Sequence, residues 1–237
     1  MTHIDAERLL AQYNEIASLA GGLAHEVRNP LSTIRLNLDL LLEETERLDH
    51  PSAHRMVRKV KTIQSECGHL ESILEAFLQF VRAGELSLEE SSLAELLRSH
   101  VETNKPLAEQ HRIDIRPHLS SDLPSLAVDR RLMRQLFDNL FRNALQAMPE
   151  GGLIEIQAYR RGDEIVIEFI DTGAGIPAAV LPKIFQEFYS TKPAGSGLGL
   201  PTVRRIVESH GGTIQCESEV GRGTRFTITL PVASTTH

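Results

Sequence analysis

Two apolar seams, separated by a proline, constrain this chain more than any other feature. Leu9, Tyr13, Ile16, Ala20, Leu23 and Val27 alternate steps of four and three, and after one extra step of four to Leu31 the pattern resumes through Ile34, Leu38 and Leu41. "RLDHPSAHR" interrupts the pattern, with Pro51 marking a turn. A second run, Met56, Val60, Ile63, Cys67, Leu70, Leu74, Phe77 and Val81, keeps steps of four and three throughout. Such steps line one stripe of a helix, so residues 1 to about 82 read as two long antiparallel helices. Each seam is narrow, and two helices alone cannot bury both well. Pairing two such hairpins does, which predicts a homodimer with a four-helix bundle. The alternative is a monomer whose seams the rest of the chain covers.

From about residue 86 the period changes. "LSLEESSLAELLRSH" reads as a short strand and then a helix capped near Ser91 or Ser92, and "RIDIRPHL" alternates as a strand does. "VDRRLMRQLFDNLFRNALQAM" is strongly periodic and predicts a helix capped by Asp129. "LIEIQAYR", "EIVIEFID", "GTIQCES" and "TRFTITLP" are four further strands, with "GLGLPTVRRIVESHG" a helix between the second and third. Strands sharing a chain with a few helices suggest an α+β sandwich, helices on one face of a sheet. The expected domains are 1–85, helical, and 86–237, α+β.

Composition narrows the function classes. A formal net charge of -7 argues against general nucleic-acid binding, which needs a basic face. No apolar run is long enough to span a bilayer, and the acidic start "MTHIDAERLL" is no secretory signal. Cys67 and Cys216 fit no metal-ligand spacing, and the plain expectation is a soluble protein in a reduced, cytoplasmic compartment.

The second half holds three groups of residues with chemical potential. "DNLFRNALQAM" puts Asn139 and Asn143 four apart on one helical face. An amide oxygen is a neutral hard ligand for Mg²⁺, though an asparagine pair on a helix is more often plain surface. In "FIDTGAGIP", Asp171 ends a strand and Gly173 and Gly175 follow. A carboxylate there can accept a hydrogen bond from the exocyclic amine of adenine, where guanine offers a repelling carbonyl. The competing reading is a strand-to-loop turn, since Asp-x-Gly is common turn chemistry. "GSGLGLPTVRRIV" places Gly195, Ser196, Gly197, Leu198 and Gly199 ahead of a helix, where free backbone N–H groups suit phosphates. Between the glycine groups lies "KIFQEFYSTKPA", long enough for a lid, which holds Phe185 and Phe188 and carries Lys192 toward those phosphates. There is neither a P-loop nor a dinucleotide fingerprint in the right setting.

The order of these parts is more specific than any one of them. "HEVRNP", then "NLFRNA", "DTGAG", "FQEF" and "GSGLG" together resemble a sensor histidine kinase of a two-component system. The likeness covers about residue 15 to residue 231: a dimerisation and phosphoacceptor domain, then an ATP-binding domain of the gyrase, Hsp90, histidine-kinase and MutL type, the Bergerat fold. It implies autophosphorylation of His25 from Mg-ATP and relay to an aspartate on a response-regulator receiver domain. It also implies that an upstream sensor domain or protein supplies the input. Asn139, Asn143, Asp171, the glycines and the residues between them would hold ATP, with Asn143 on Mg²⁺, and Thr224 in "GRGTRF" would help fix Asp171 through water. Asn139 stands where ATP-hydrolysing relatives carry a glutamate, and Asn cannot act as a general base, so ATP should be held without fast hydrolysis. Basic residues common in related kinases are replaced here by Gln146, Ser190 and Thr191, and Lys192 is the candidate to supply the missing charge.

The first helix supplies the acceptor. With Ala20 and Val27 at a and Leu23 at d, His25 falls at f, the outermost heptad position, which disfavours a core histidine. A zinc H-E-x-x-H motif would need a histidine where Asn29 stands. An imidazole with a pKa of about 6.5 is mostly neutral near pH 7, and its free ring nitrogen could attack the γ-phosphorus. Glu26 matches the acidic residue that polarises the histidine in the family, yet adjacent helical residues do not face one another. Pro30 clashes with the carbonyl of Glu26, which predicts a bend beside the reacting group. Asn29 shares the face of His25, at the position that orients water for a phosphatase reaction in related kinases. The rival reading is a nucleotide-binding dimeric scaffold without kinase activity.

Overall fold

The computed structural model describes residues 24, 26–45, 52–83, 86–192 and 195–232. His25, Pro51 and the seam positions from Leu9 to Leu23 lie outside the described residues. The chain divides into two compact units, one comprising the residues up to Arg82 together with Thr191–Ser196, and an α/β one built from Ala83–Ser190 and from Gly197 on.

In the helical unit, α1 (residues 26–45) and α2 (Ala53–Arg82) form an antiparallel hairpin. Arg28 pairs with Glu75 at 3.0 Å, Arg35 with Glu71 at 3.7 Å, and Gln64 Nε2 donates to Asp39 at 2.7 Å. Helical geometry continues through Pro30. The predicted seam splits in two. Leu31 and Leu38 pack with Val60 and Cys67 inside the hairpin, and Ala24 packs with Leu78 and Val81. The alternate positions, Val27, Ile34 and Leu41 on α1 and Met56, Ile63 and Leu70 on α2, are exposed. Each exposed set repeats every seven residues, which is one continuous apolar face per helix. Among the described residues, no helix is long and apolar enough to cross a membrane.

The α/β unit has two sheets. β1 (Glu89–Ser92) pairs antiparallel with β3 (Ser125–Val128), and the main sheet runs β2-β4-β5-β7-β6. Its strands are β2 (Ile113–Leu119), β4 (Gly152–Arg161), β5 (Glu164–Asp171), β6 (Thr213–Glu219) and β7 (Gly223–Pro231). β2 and β4 are parallel and every other pair is antiparallel. The parallel pair needs a crossover, which β3 and α4 (Arg130–Ala147) provide. Ile154, Ile156, Ile165, Ile167, Phe169 and Ile228 alternate onto one face of the sheet. That face packs against α3 (Leu93–Gln110), α4 and α5 (Gly199–Ser209). The helix caps fall where the side chains allow them: Ser92 accepts from the Glu95 N–H at 3.3 Å and Asp129 from the Leu132 N–H at 2.9 Å. β3 was not predicted. Four residues between Pro124 and Asp129 are too few for alternation to register, and the strand exists because β1 pairs with it.

Candidate nucleotide site

The site begins with the face that α4 does not bury. Leu132, Met133, Leu136, Phe137, Leu140, Phe141 and Ala144 go into the core, and Asn139 and Asn143 stand half-buried beyond them. The Oδ1 of Asn139 lies 3.7 Å from where a Cβ on Gly199 would stand. The asparagine face of α4 therefore adjoins the first turn of α5. Leu198 is fully buried and anchors that turn, its carbonyl accepting the Thr202 hydroxyl at 2.6 Å. Gly197 has φ 68° and its α-carbon backs onto the main chain of Phe188, so any side chain there would collide with that backbone.

Asp171 closes β5 with only 5% exposure, and its Oδ1 accepts the Gly173 N–H at 2.9 Å. The next amide, Ala174 N–H, donates to the Ala147 carbonyl at 3.0 Å, tying the loop to the end of α4. Gly175 has φ 72° and faces the backbone of Glu219, leaving no room for a Cβ. Directly across the ladder from Asp171 stands Thr224, equally buried. Sequence reasoning missed Ser218, which braces this pair. Its hydroxyl donates to the Gly223 carbonyl at 2.8 Å, lies 3.0 Å from Thr224 Oγ1, and accepts the Ile176 N–H at 2.8 Å. No local motif announces Ser218, because its partners come from β7 and from the Asp-x-Gly loop. Burial, with the charges of Asp171 and Glu217 adding to it, pushes the neighbouring Cys216 thiol up to about 12.

These groups suit a purine nucleotide: a buried carboxylate, two amides on one helical face, and glycine-bounded loops that side chains would fill. A helix start lies alongside for phosphates. Among the described residues no group of three or more His, Cys, Asp or Glu could hold a metal. A divalent cation here would rest on an amide oxygen, phosphates and water, the shell Mg²⁺ prefers. Of the remaining predicted residues, Glu26 and Asn29 are exposed on α1. Lys192, Gly195 and Ser196 are not part of the α/β unit, and the Gly195 N–H closes a turn onto the Lys192 carbonyl at 3.1 Å.

Comparison with known proteins agrees with this division. Residues 128–234 match the family model of the histidine kinase-, DNA gyrase B- and HSP90-like ATPases. Residues 15–86 match that of the His Kinase A (phospho-acceptor) domain. The chain belongs to the sensor histidine kinases. Among curated proteins, it is 35% identical to the alginate biosynthesis sensor protein KinB of Pseudomonas aeruginosa, over 88% of this chain and 36% of KinB. It is 34% identical to the sensor histidine kinase ZraS of Escherichia coli K12, over 95% of this chain and 47% of ZraS. The chain thus spans about half, or less, of the length of these relatives. Full-length ShkA, solved in complex with AMPPNP, superposes with a TM-score of 0.71 at 29% identity, covering 93% of this chain and 47% of ShkA. In this histidine kinase the ATPase match starts at Val128, one residue before the cap of the asparagine helix.

Proposed function

We propose that the chain is a histidine kinase core that moves the γ-phosphoryl group of Mg-ATP to His25 and then to an aspartate of a response-regulator receiver domain. In this reading residues 1–85 are the dimerisation and phosphotransfer hairpin, and residues 86–237 are the catalytic ATP-binding domain. The observation that carries it is the pairing of Asp171 with Thr224 and of Asn139 with Gly199 within one unit, in a chain whose residues 15–86 match a phosphoacceptor domain.

Asp171 accepts the exocyclic amine of adenine, with Thr224 and Ser218 holding its surroundings. The loops at Gly173, Gly175 and Gly197–Gly199 admit the nucleotide backbone, and Lys192, Gly195 and Ser196 are assigned to the phosphates by the family resemblance alone. Asn139 and Asn143 face the phosphate end, and Asn143 is the protein ligand of Mg²⁺, which neutralises charge on the phosphates when bound. The protein has little covalent work to do, so positioning and charge neutralisation supply most of the rate. A free ring nitrogen of His25 attacks the γ-phosphorus in line, the bond from phosphorus to the β-phosphate oxygen breaks and ADP leaves, and Glu26 polarises the ring. Asn29, by the family resemblance, orients water in a phosphatase reaction on the phosphorylated partner.

The hairpin functions as a homodimer. Val27, Ile34, Leu41, Met56, Ile63 and Leu70 form an apolar face that the single hairpin leaves exposed, and a second copy buries it in a four-helix bundle. An upstream sensor domain or protein supplies the input, and the kinase core operates in the cytoplasm. The test is incubation with γ-labelled Mg-ATP and mapping of the label under alkaline conditions. Label on His25, lost in His25→Gln and in Asn143→Ala, is the expected result. Label on a serine or threonine, or none while ATP binds, would favour a different kinase or the silent scaffold.

A further inference from the structure

We infer that Asp129 is a positioning residue that ties the linker following α2 to both helices of the nucleotide site. The inference rests on the kinase reading and goes beyond it. Capping α4 takes one carboxyl oxygen: Oδ1 accepts the Leu132 N–H at 2.9 Å. The other oxygen, Oδ2, accepts the N–H of Ser87, in the linker, at 3.0 Å. The N–H of Asp129 itself donates to His210 Nε2 at 3.0 Å, and His210 caps the end of α5. The tautomer of His210 follows from its other contact. Nδ1 lies 2.7 Å from the Ile206 carbonyl, which only accepts, so Nδ1 carries the proton and Nε2 is the acceptor. A second tie runs beside the first, from Ser209 Oγ on α5 to the Ala83 carbonyl at 3.3 Å.

Asp129 is 3% exposed, so its bond to the Leu132 N–H is buried, while those to Ser87 and His210 are partly buried. The neighbouring charge, Arg131 at 3.8 Å from Oδ2, has a half-exposed side chain and adds little. Asp129 precedes Asn139 by ten residues of α4, and Gly199 precedes His210 by the whole of α5. At the helical rise, the clamp stands about 15 Å from the asparagine and glycine groups, at the far ends of the two helices that carry them. Helices move as rigid rods. A shift of the linker therefore reaches Asn139, midway along α4, and Gly199, at the start of α5, together, and nucleotide binding reaches the linker by the same route.

Asp129→Asn isolates the linker bond. Its Oδ1 can still cap α4, while its Nδ2 turns a donor toward the Ser87 N–H, where Oδ2 had accepted. Two measurements on the full chain test the inference. In hydrogen exchange, Mg²⁺ with AMPPNP should slow the Ser87 amide roughly tenfold in the wild type and leave it nearly unchanged in Asp129→Asn. In kinetics, Asp129→Asn should lower the autophosphorylation rate at saturating ATP roughly tenfold while KM for ATP stays within about twofold, and Ser209→Ala should lower it less. A Ser87 amide indifferent to nucleotide in the wild type, or equally protected in both proteins, would overturn the inference. So would a loss confined to KM or to thermal stability. A wild type that protects Ser87 but forms no phosphohistidine would refute the kinase reading and leave the clamp standing. A wild type that binds no AMPPNP would overturn both.

Discussion

At the scale of single residues, the site divides into groups that announce themselves and groups that do not. Asp171, Asn139 and Asn143 stood out as candidates by their spacing on one helical face and at one strand end, but only the order of the motifs separated them from a surface pair and a turn. Thr224 was legible only through family resemblance, and the ladder then sets it opposite Asp171. Ser218 was not legible, since a serine in an alternating strand has no local signature. Ser218→Ala should remove the brace on Thr224 and weaken ATP binding by about 1 kcal/mol, roughly fivefold in Kd by calorimetry, with the fold intact. The thiol of Cys216 is raised to about 12, so the folded protein should leave it unalkylated at neutral pH and modify it only in urea. Asp138 behaves in the opposite way. A hydrogen bond from His100 holds its carboxyl below the usual range, against the raising effect of partial burial, and the charges of His100 and Arg142 assist. A depressed folded value means stability present above the unfolded pKa of about 3.9 and lost as pH falls through the folded value. Asp138→Asn should therefore flatten the acid limb of a urea-midpoint profile below about pH 4, relative to the wild type.

At the scale of elements, period and caps were enough for most of the fold. The helix at Arg130–Ala147 starts at the predicted Asp129 cap, and the four strands from "LIEIQAYR" onward fall where alternation put them. Sheet order was not legible, because the parallel β2–β4 pair depends on a crossover rather than on a turn. The seams held a finer lesson. Steps of four and three define a stripe, but not which half of it a neighbouring helix covers. The hairpin covers Leu31, Leu38, Val60 and Cys67 and leaves the alternate residues outward. Ile34→Glu and Ile63→Glu should therefore turn the dimer into a monomer by light scattering while far-UV helicity persists. Loss of helicity in step with loss of mass would mean that these positions hold the hairpin itself.

At the scale of the whole molecule, the proposed site holds ATP for transfer rather than for hydrolysis. Asn139 has no general-base capacity, and its amide stands beside Gly199 at the start of α5. The most direct measurement is a time course of ADP released against phosphohistidine formed, from Mg-ATP in the absence of any receiver domain. The two should appear in equal amounts, rising together to a plateau of no more than one per chain, with both absent in His25→Gln. ADP that keeps rising after phosphohistidine has stopped, and that persists in His25→Gln, would mark the site as an ATPase instead.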